Sequence, residues 1–382
     1  MLSSNLTHQS LLSIMHRPMR KIRVGILFGG RSAEHEVSLQ SAKNIVEAID
    51  KKKYDVVLIG IDKKGQWHLG NSSHFLLNDS SPKHIKLNAT NNNLTLLPYQ
   101  SNKQLVSVDD NSMETIDIVF PILHGTYGED GTIQGLLKLA DIPFVGASVL
   151  GSAIGMDKDV MKRLLRDAGL PISKFIVVKQ NDKPSFGEIK KQLGLPFFVK
   201  PANMGSSVGV SKVKSEKDFM NGLSLAFSYD TKILLEKYID GREIECSVLG
   251  NEDPIASLPG EIIPKHEFYS YEAKYIDENG AALQIPAILP QKKIKEVQSL
   301  AVKAFQTLCC EGMARVDFFL DKKNKFFVNE INTIPGFTKI SKYPKLWEKS
   351  GIPYPMLIDR LIRLAIERHK RDQKLKTSLA TQ

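Results

Sequence analysis

The stretch that most constrains this chain is residues 315–338, RVDFFLDKKNKFFVNEINTIPGFT. Two apolar segments, 316–320 and 326–328, flank the polar turn 321–324, a pattern that reads as a β-hairpin. Side chains alternate along a strand, so Arg315 and Asp317 share one face of the first strand, and Glu330 and Asn332 share one face of the second. If the register brings those faces together, a guanidinium fork stands beside three hard oxygen donors. Such donors suit Mg2+ held together with substrate phosphates. The bland alternative is a hairpin with a solvated polar face. The following turn, Thr333-Ile334-Pro335-Gly336, argues against it, because a Pro-Gly turn holds backbone N–H groups rigidly near those donors.

The 382 residues around this hairpin suffice for two or three domains with ample core. The apolar segment 21–28 ends in Gly29-Gly30, and a helix with the buried stripe Val37, Ala42, Ile45, Val46 and Ile49 follows. Residues 54–61 form a second buried strand, which makes a βαβ start. The glycine turn lacks the G-x-G-x-x-G spacing, which argues against NAD. Glu34, at the mouth of that turn, either faces a ligand ammonium or simply complements the helix dipole. Residues 70–112 are polar and read as a weak, peripheral hairpin insertion. A strand at 117–123 leads into the glycine-rich turn that begins at His124, then a helix at 132–140 and a strand at 141–147. Such turns, at the carboxyl ends of parallel strands, are where open α/β sheets bind ligands, which weighs for a site role of His124 over a satisfied loop histidine.

The pattern changes near Met156, where a domain boundary is expected. The strand 197–200 ends at Lys200, and the loop 203–210, NMGSSVGV, follows. The loop offers backbone N–H groups and hydroxyls without side-chain bulk, as wrapping a polyphosphate requires. It is not a Walker A sequence, and a plain hairpin turn explains the loop alone. Lys200 strengthens the phosphate reading, with the loop closing as a lid. Residues 234–239 look like an edge segment whose backbone could read a purine, with Glu243 placed for ribose hydroxyls. Residues 269–275 have no helical or strand period and are either a lid over a small polar substrate or an ordinary surface loop. Amphipathic helices are expected at 292–309 and 354–369.

Net charge is +10, which admits an anionic partner or merely a solvated basic surface. The lysines are dispersed and no nucleic-acid motif accompanies them, so the surface reading is preferred. Cys246, Cys309 and Cys310 match neither a zinc pattern nor a disulfide framework and read as buried thiols in a reducing cytosol. No apolar run approaches the roughly 18 residues of a membrane span.

In their order along residues 21–366, the segments GGRSAEHEVSL, LHGTYGEDGTIQG, MDK, VKPANMGSSVGVSKV, YEAKY, ARVDFFLD and VNEINTIPGFT closely resemble the D-alanine–D-alanine ligases of the ATP-grasp superfamily. The resemblance implies an α/β, ATP-grasp fold. A loose extension at 1–20 precedes an open parallel-sheet substrate domain at 21–155, then a central ATP-grasp domain at 156–240, a catalytic domain at 241–369 and a basic tail at 370–382. It implies that Lys158, Lys200, Ser206 and Ser207 meet ATP phosphates, and that Glu236, Lys237, Ile239 and Glu243 surround adenine and ribose. Asp317, Glu330 and Asn332 would hold two Mg2+ or Mn2+ ions. Glu34 would bind the ammonium of the first D-alanine, with His124 nearby, and Ser206 and Tyr275 would bridge to Glu34 and close two loops. Arg315 and the Gly336 N–H would stabilise the oxyanion, and Lys274 and Ser341 would meet the second carboxylate. The implied reaction joins two D-alanines through a D-alanyl phosphate, for peptidoglycan precursors. The YEAKY lid looks like the D-alanine type. The alternatives are D-serine or D-lactate as second substrate, or a non-catalytic nucleotide- or nucleic-acid-binding protein. The expected partners are D-alanine, ATP and a second copy in a cytoplasmic homodimer, with neither nucleic acid nor membrane.

Overall fold

The opening βαβ pattern forms as read. β1 (Ile22–Gly29), α1 (His35–Ala48) and β2 (Tyr54–Ile61) make a parallel unit, joined by β3 (Trp67–Gly70) and β4 (Ile118–Pro121) in the order β3-β2-β1-β4. The protein is described from a computed structural model covering residues 20–70, 75–78, 84–88, 93–97, 105–108, 113–264 and 281–376. Strand period two divides β1 between two cores. Val24, Ile26 and Phe28 face one cluster and Leu27 faces another. The first cluster is closed by a helix from the far end of the chain, α9 (Tyr354–Asp372), through Leu357, Ile358, Leu361 and Ile362.

After α2 (Thr132–Leu139), α3 (Val149–Met156) and α4 (Lys158–Asp167), the chain builds a four-stranded antiparallel sheet. Its strands are β5 (Phe175–Lys179), β6 (Phe197–Pro201), β7 (Ser211–Val213) and β8 (Lys232–Lys237), in the order β5-β8-β6-β7. Helices α5 (Phe186–Leu193) and α6 (Glu216–Phe227) cover it. A second antiparallel sheet has the order β11-β10-β9-β12-β13. It comprises β9 (Gly241–Gly250), β10 (Gly260–Pro264), β11 (Ala281–Gln284), β12 (Gly312–Asp321) and β13 (Phe326–Asn332), with Ile255–Ala256 paired to β9. Helix α7 (Gln291–Thr307) packs Val297, Ala301, Ala304 and Phe305 against it, and α8 (Lys342–Lys349) follows the hairpin.

Several expectations need correction. Residues 141–147 are not a strand: Phe144 makes a single parallel bridge to Val119, because Pro143 offers no N–H and Gly146 turns to φ +95°. β8 is interior, paired on both sides, and not an edge; its residues Ile233 to Glu236 are all buried. The insertion is less peripheral than its polarity suggests. Its described parts pair Leu76–Leu77 with Lys86–Leu87 and build a second small sheet, while Phe75 and Ile85 enter the first core. Cys309 is exposed, not buried. It takes φ +53° past the end of α7, where its N–H donates to Gln306 O and the next N–H donates to Phe305 O. This is a Schellman ending, which leaves its left-handed residue facing water. The tail expected from 370 onward continues α9 as far as Asp372, and Arg371 there pairs with Glu311 and Glu252.

Candidate active site

The hairpin pairs as its alternation requires. Arg315 lies opposite Asn332 and Asp317 opposite Glu330, so the four side chains meet on one face. A register shift then falls between Asp317 and Phe318, leaving Asn329 as the extra residue of a β-bulge. The Arg315 Nε and Nη2 atoms donate to the two Asp317 oxygens, each at 2.7 Å, and Nε lies 3.3 Å from Glu245 Oε2. Two carboxylates thus fix the plane of the guanidinium. Burial pushes the Asp317 carboxyl up to about 6, against the pull of Arg315 and with help from Glu245 and Glu330.

Lysines enter from the neighbouring sheet. Asp157 caps α4, its Oδ1 accepting the Asp159 and Val160 N–H groups at 3.1 Å each. The first helical residue, Lys158, donates from Nζ to Met204 O at 2.6 Å and lies 3.9 Å from Glu330 Oε2. Burial, chiefly, lowers its affinity for the proton. Lys200, on β6, pairs with Glu236 on β8. Both Glu236 oxygens are engaged, since Lys162 Nζ sits 2.6 Å from the other one. Burial pushes the Glu236 carboxyl up, but the two ammoniums outweigh it and hold the group below its ordinary value.

The N-terminal sheet supplies the third wall. Glu34 follows the Gly29-Gly30 turn and accepts a hydrogen bond from the Ser206 hydroxyl of the Gly/Ser loop. A Cβ on Gly125 would stand 2.8 Å from Glu34 Oε2 and one on Gly205 3.1 Å from it, so glycine at both positions lets the two loops approach this carboxylate without displacing it. His124 is buried, and burial lowers its proton affinity. Its Nδ1 faces Ile334 O at 3.0 Å, so Nδ1 carries the proton and Nε2 accepts from Ser41 Oγ at 3.2 Å. Ser41 Oγ in turn accepts the Phe337 N–H. With both nitrogens committed, the ring ties the turn at Ile334 to Ser41 of the first domain.

Glu34, His124, Lys158, Lys200, Ser206, Glu236, Glu245, Arg315, Asp317, Glu330 and Asn332 line one cleft of about 710 Å3, together with Ser207, Lys237, Ile239, Glu243, Gly336 and Ser341. Ser341 Oγ accepts the Thr338 N–H at 2.9 Å and shares a 2.8 Å hydrogen bond with the Thr338 hydroxyl. Lys274 and Tyr275 lie outside the described residues. Two cleft residues, Glu129 and Glu245, and one buried behind the cleft, Lys162, have no counterpart in the sequence reading. Glu129 Oε2 accepts the Gly125 N–H at 2.8 Å and Oε1 the Ile334 N–H at 3.1 Å. Glu245 joins Arg315 to Lys342, whose Nζ is 2.8 Å from Oε1. Lys162 is wholly buried, and its signal was available: it lies four residues after Lys158 and three before Leu165, within the buried stripe of α4.

Two antiparallel sheets that close a lysine- and carboxylate-lined cleft beside an open parallel-sheet domain define an ATP-grasp ligase. Comparison with known proteins narrows this class. Models of the D-ala D-ala ligase N-terminus and C-terminus match residues 23–147 and 164–363. A D-alanine--D-alanine ligase of Oceanobacillus iheyensis is 59% identical over 361 residues, 94% of this chain and 99% of that protein. The solved D-alanine-D-alanine ligase from Coxiella burnetii superposes with a TM-score of 0.82 at 42% identity, covering 93% of this chain and 96% of that one. The VanG D-Ala:D-Ser ligase from Enterococcus faecalis gives 0.80 at 35% identity, covering 91% and 100%. The chain belongs to the D-alanine–D-alanine ligase family.

Proposed function

We propose that this protein joins two D-alanine molecules into D-alanyl-D-alanine with ATP, through a D-alanyl phosphate, releasing ADP and phosphate for peptidoglycan precursor synthesis. The observation that carries this reading is the meeting, in one cleft, of the Arg315–Asp317–Glu330 hairpin face, the lysines Lys158 and Lys200, and the Glu34 carboxylate. A free carboxylate is a poor electrophile, so it must be phosphorylated before an amine can attack it. Lys158 and Lys200 draw the phosphates in and offset their repulsion of the substrate carboxylate. Glu34 takes the ammonium of the first D-alanine. Arg315, held flat by Asp317 and Glu245, and the Gly336 N–H face the oxygen that gains charge as the second amine adds. Each such donor is worth about 3 kcal/mol. Ser341 and Lys274 take the second carboxylate. The Glu34–Ser206 hydrogen bond, completed by Tyr275, shuts water away from the acyl phosphate.

Asp317, Glu330 and Asn332 fit divalent metal. They are hard oxygen donors brought to one face by the hairpin register, and they stand in the cleft beside the phosphate-facing lysines. Among the described residues there is no group of three or more His, Cys, Asp and Glu that could hold a metal ion. When bound, the two ions neutralise phosphate charge. Among the described residues no helix is long and apolar enough to cross a membrane. We read the enzyme as a cytoplasmic homodimer, a state that sedimentation measures directly.

Phosphate release with ATP, Mg2+ and D-alanine tests the reaction, and absence of release removes it. Competition among D-alanine, D-serine and D-lactate tests the acceptor. The likeness to a D-Ala:D-Ser ligase makes D-serine the second reading, and its preference over D-alanine would replace the first.

A further inference from the structure

We propose that Lys162 is a positioning residue for the nucleotide site, resting on the reading that Lys200 and Glu236 serve ATP. Lys162 is 0% exposed and carries a charge into the core of the molecule. Such burial persists only where the partners are specific. Its two partners belong to different sheets. Nζ lies 2.6 Å from Glu236 Oε1 on β8, and it donates at 3.1 Å to the backbone carbonyl of Asn329 on β13.

Both contacts end at groups that face the cleft. Glu236 uses its other oxygen to hold Lys200, so Lys162 fixes the carboxylate that fixes a phosphate-facing ammonium. Asn329 is the extra residue of the β12–β13 bulge and comes immediately before Glu330. The bulge takes Asn329 out of one-to-one pairing, and Lys162 Nζ occupies its carbonyl. The ammonium therefore pins the backbone at the point where the strand sets the direction of Glu330. Helix geometry adds a third link. Lys158 is one turn earlier on the same face of α4, so a single rigid element places both cations, one on the Gly/Ser loop and one between the sheets. Lys162 does not line the cleft and touches no substrate position. Its effect passes through Glu236 and Asn329.

The test is Lys162→Met in the full-length protein, which keeps the side-chain length and removes the charge. The Michaelis constant for ATP should rise about tenfold or more while that for D-alanine stays within about twofold, a split that general loosening of the fold does not produce. Affinity for ADP, measured by calorimetry without turnover, should fall by the same factor. Lys162→Gln, which keeps a donor in the cavity, carries the same expectation if the Met variant does not accumulate as folded protein. An unchanged ATP constant, or ATP and D-alanine constants that rise together with a falling Tm, overturns the inference. Lys200→Met, run alongside, separates the two levels. If it leaves ATP binding intact, the nucleotide reading itself fails. If it weakens ATP and Lys162→Met does not, only the positioning role fails.

Discussion

Replacing Glu330 by Gln keeps the volume of the side chain and removes its charge at the position opposite Asp317. Outer partners of metal ligands cost about 10–100-fold, so on the proposal that Glu330 is a direct ligand its loss should lower turnover by more than about 100-fold, with Tm nearly unchanged. A stopped phosphate-release assay and a melting curve check both halves. Glu129 makes a different kind of prediction. Burial, then Glu34, pushes its carboxyl up from 4.5 to about 8. The folded protein therefore keeps a proton that the unfolded chain has released, and the Glu129 contribution to stability falls as pH rises from about 4.5 to about 8. Glu129→Gln should flatten that slope in denaturant titrations. It should also cost about 1–3 kcal/mol, because an amide leaves one of the Gly125 and Ile334 N–H groups facing a second donor. Glu129 sits between Gly128 and Asp130 in a turn with no periodicity, so nothing in the local sequence marks its orientation. Arg315, Asp317, Glu330 and Asn332 were legible because strand alternation decides which face they take.

Elements with a strong period are legible with boundaries close to those observed, β2 at residues 54–61 and α7 within two residues, and the hairpin is legible as a pair of strands, although its register and its bulge are not. The failures have local causes. The segment of β8 looks like an edge in the sequence, yet the strand is paired on both sides and two buried lysines meet Glu236 inside. The segment 141–147 has the apolar content of a strand but carries Pro143 and Gly146, which stop it after one bridge. Helices α3, α6 and α8 are absent from the sequence reading, and glycines in the first two and a proline in the third blur the helical pattern. Helix α4 carries its own prediction. Asp157 caps two of its N–H groups and also holds Lys232 at 2.6 Å. Asp157→Ala should cost about 1–2 kcal/mol. Because Lys158 is the next residue, the same change should weaken ATP binding more than D-alanine binding, a difference that steady-state kinetics resolves.

The long-range closure of the molecule rests on α9, which no local pattern ties to the first sheet. Arg368 on this helix is buried, donates to Gly146 O at 2.5 Å and Phe144 O at 2.7 Å, and stacks over the Phe144 ring. The interrupted segment that failed to become a strand is held in place by this arginine. Arg368→Met leaves two buried carbonyls without donors and should cost about 3 kcal/mol in chemical denaturation, even though it lies outside the cleft. Tyr54 adds a second tie across the same interface, its hydroxyl donating to Asp359 at 2.8 Å.

One apolar cluster draws mainly on residues between Val24 and Val145 and between Ile334 and Ala365, with Leu249 and Met313 from the middle of the chain. Chains are generally folded in the order in which the ribosome delivers them. Here the first sheet to be translated waits, one flank bare, for nearly the last helix to leave the exit tunnel. The half of the enzyme synthesised earliest is thus the last to be finished, and a nascent chain stalled before that helix would leave the Ile118 and Phe120 flank of the sheet, beside α1, without its cover.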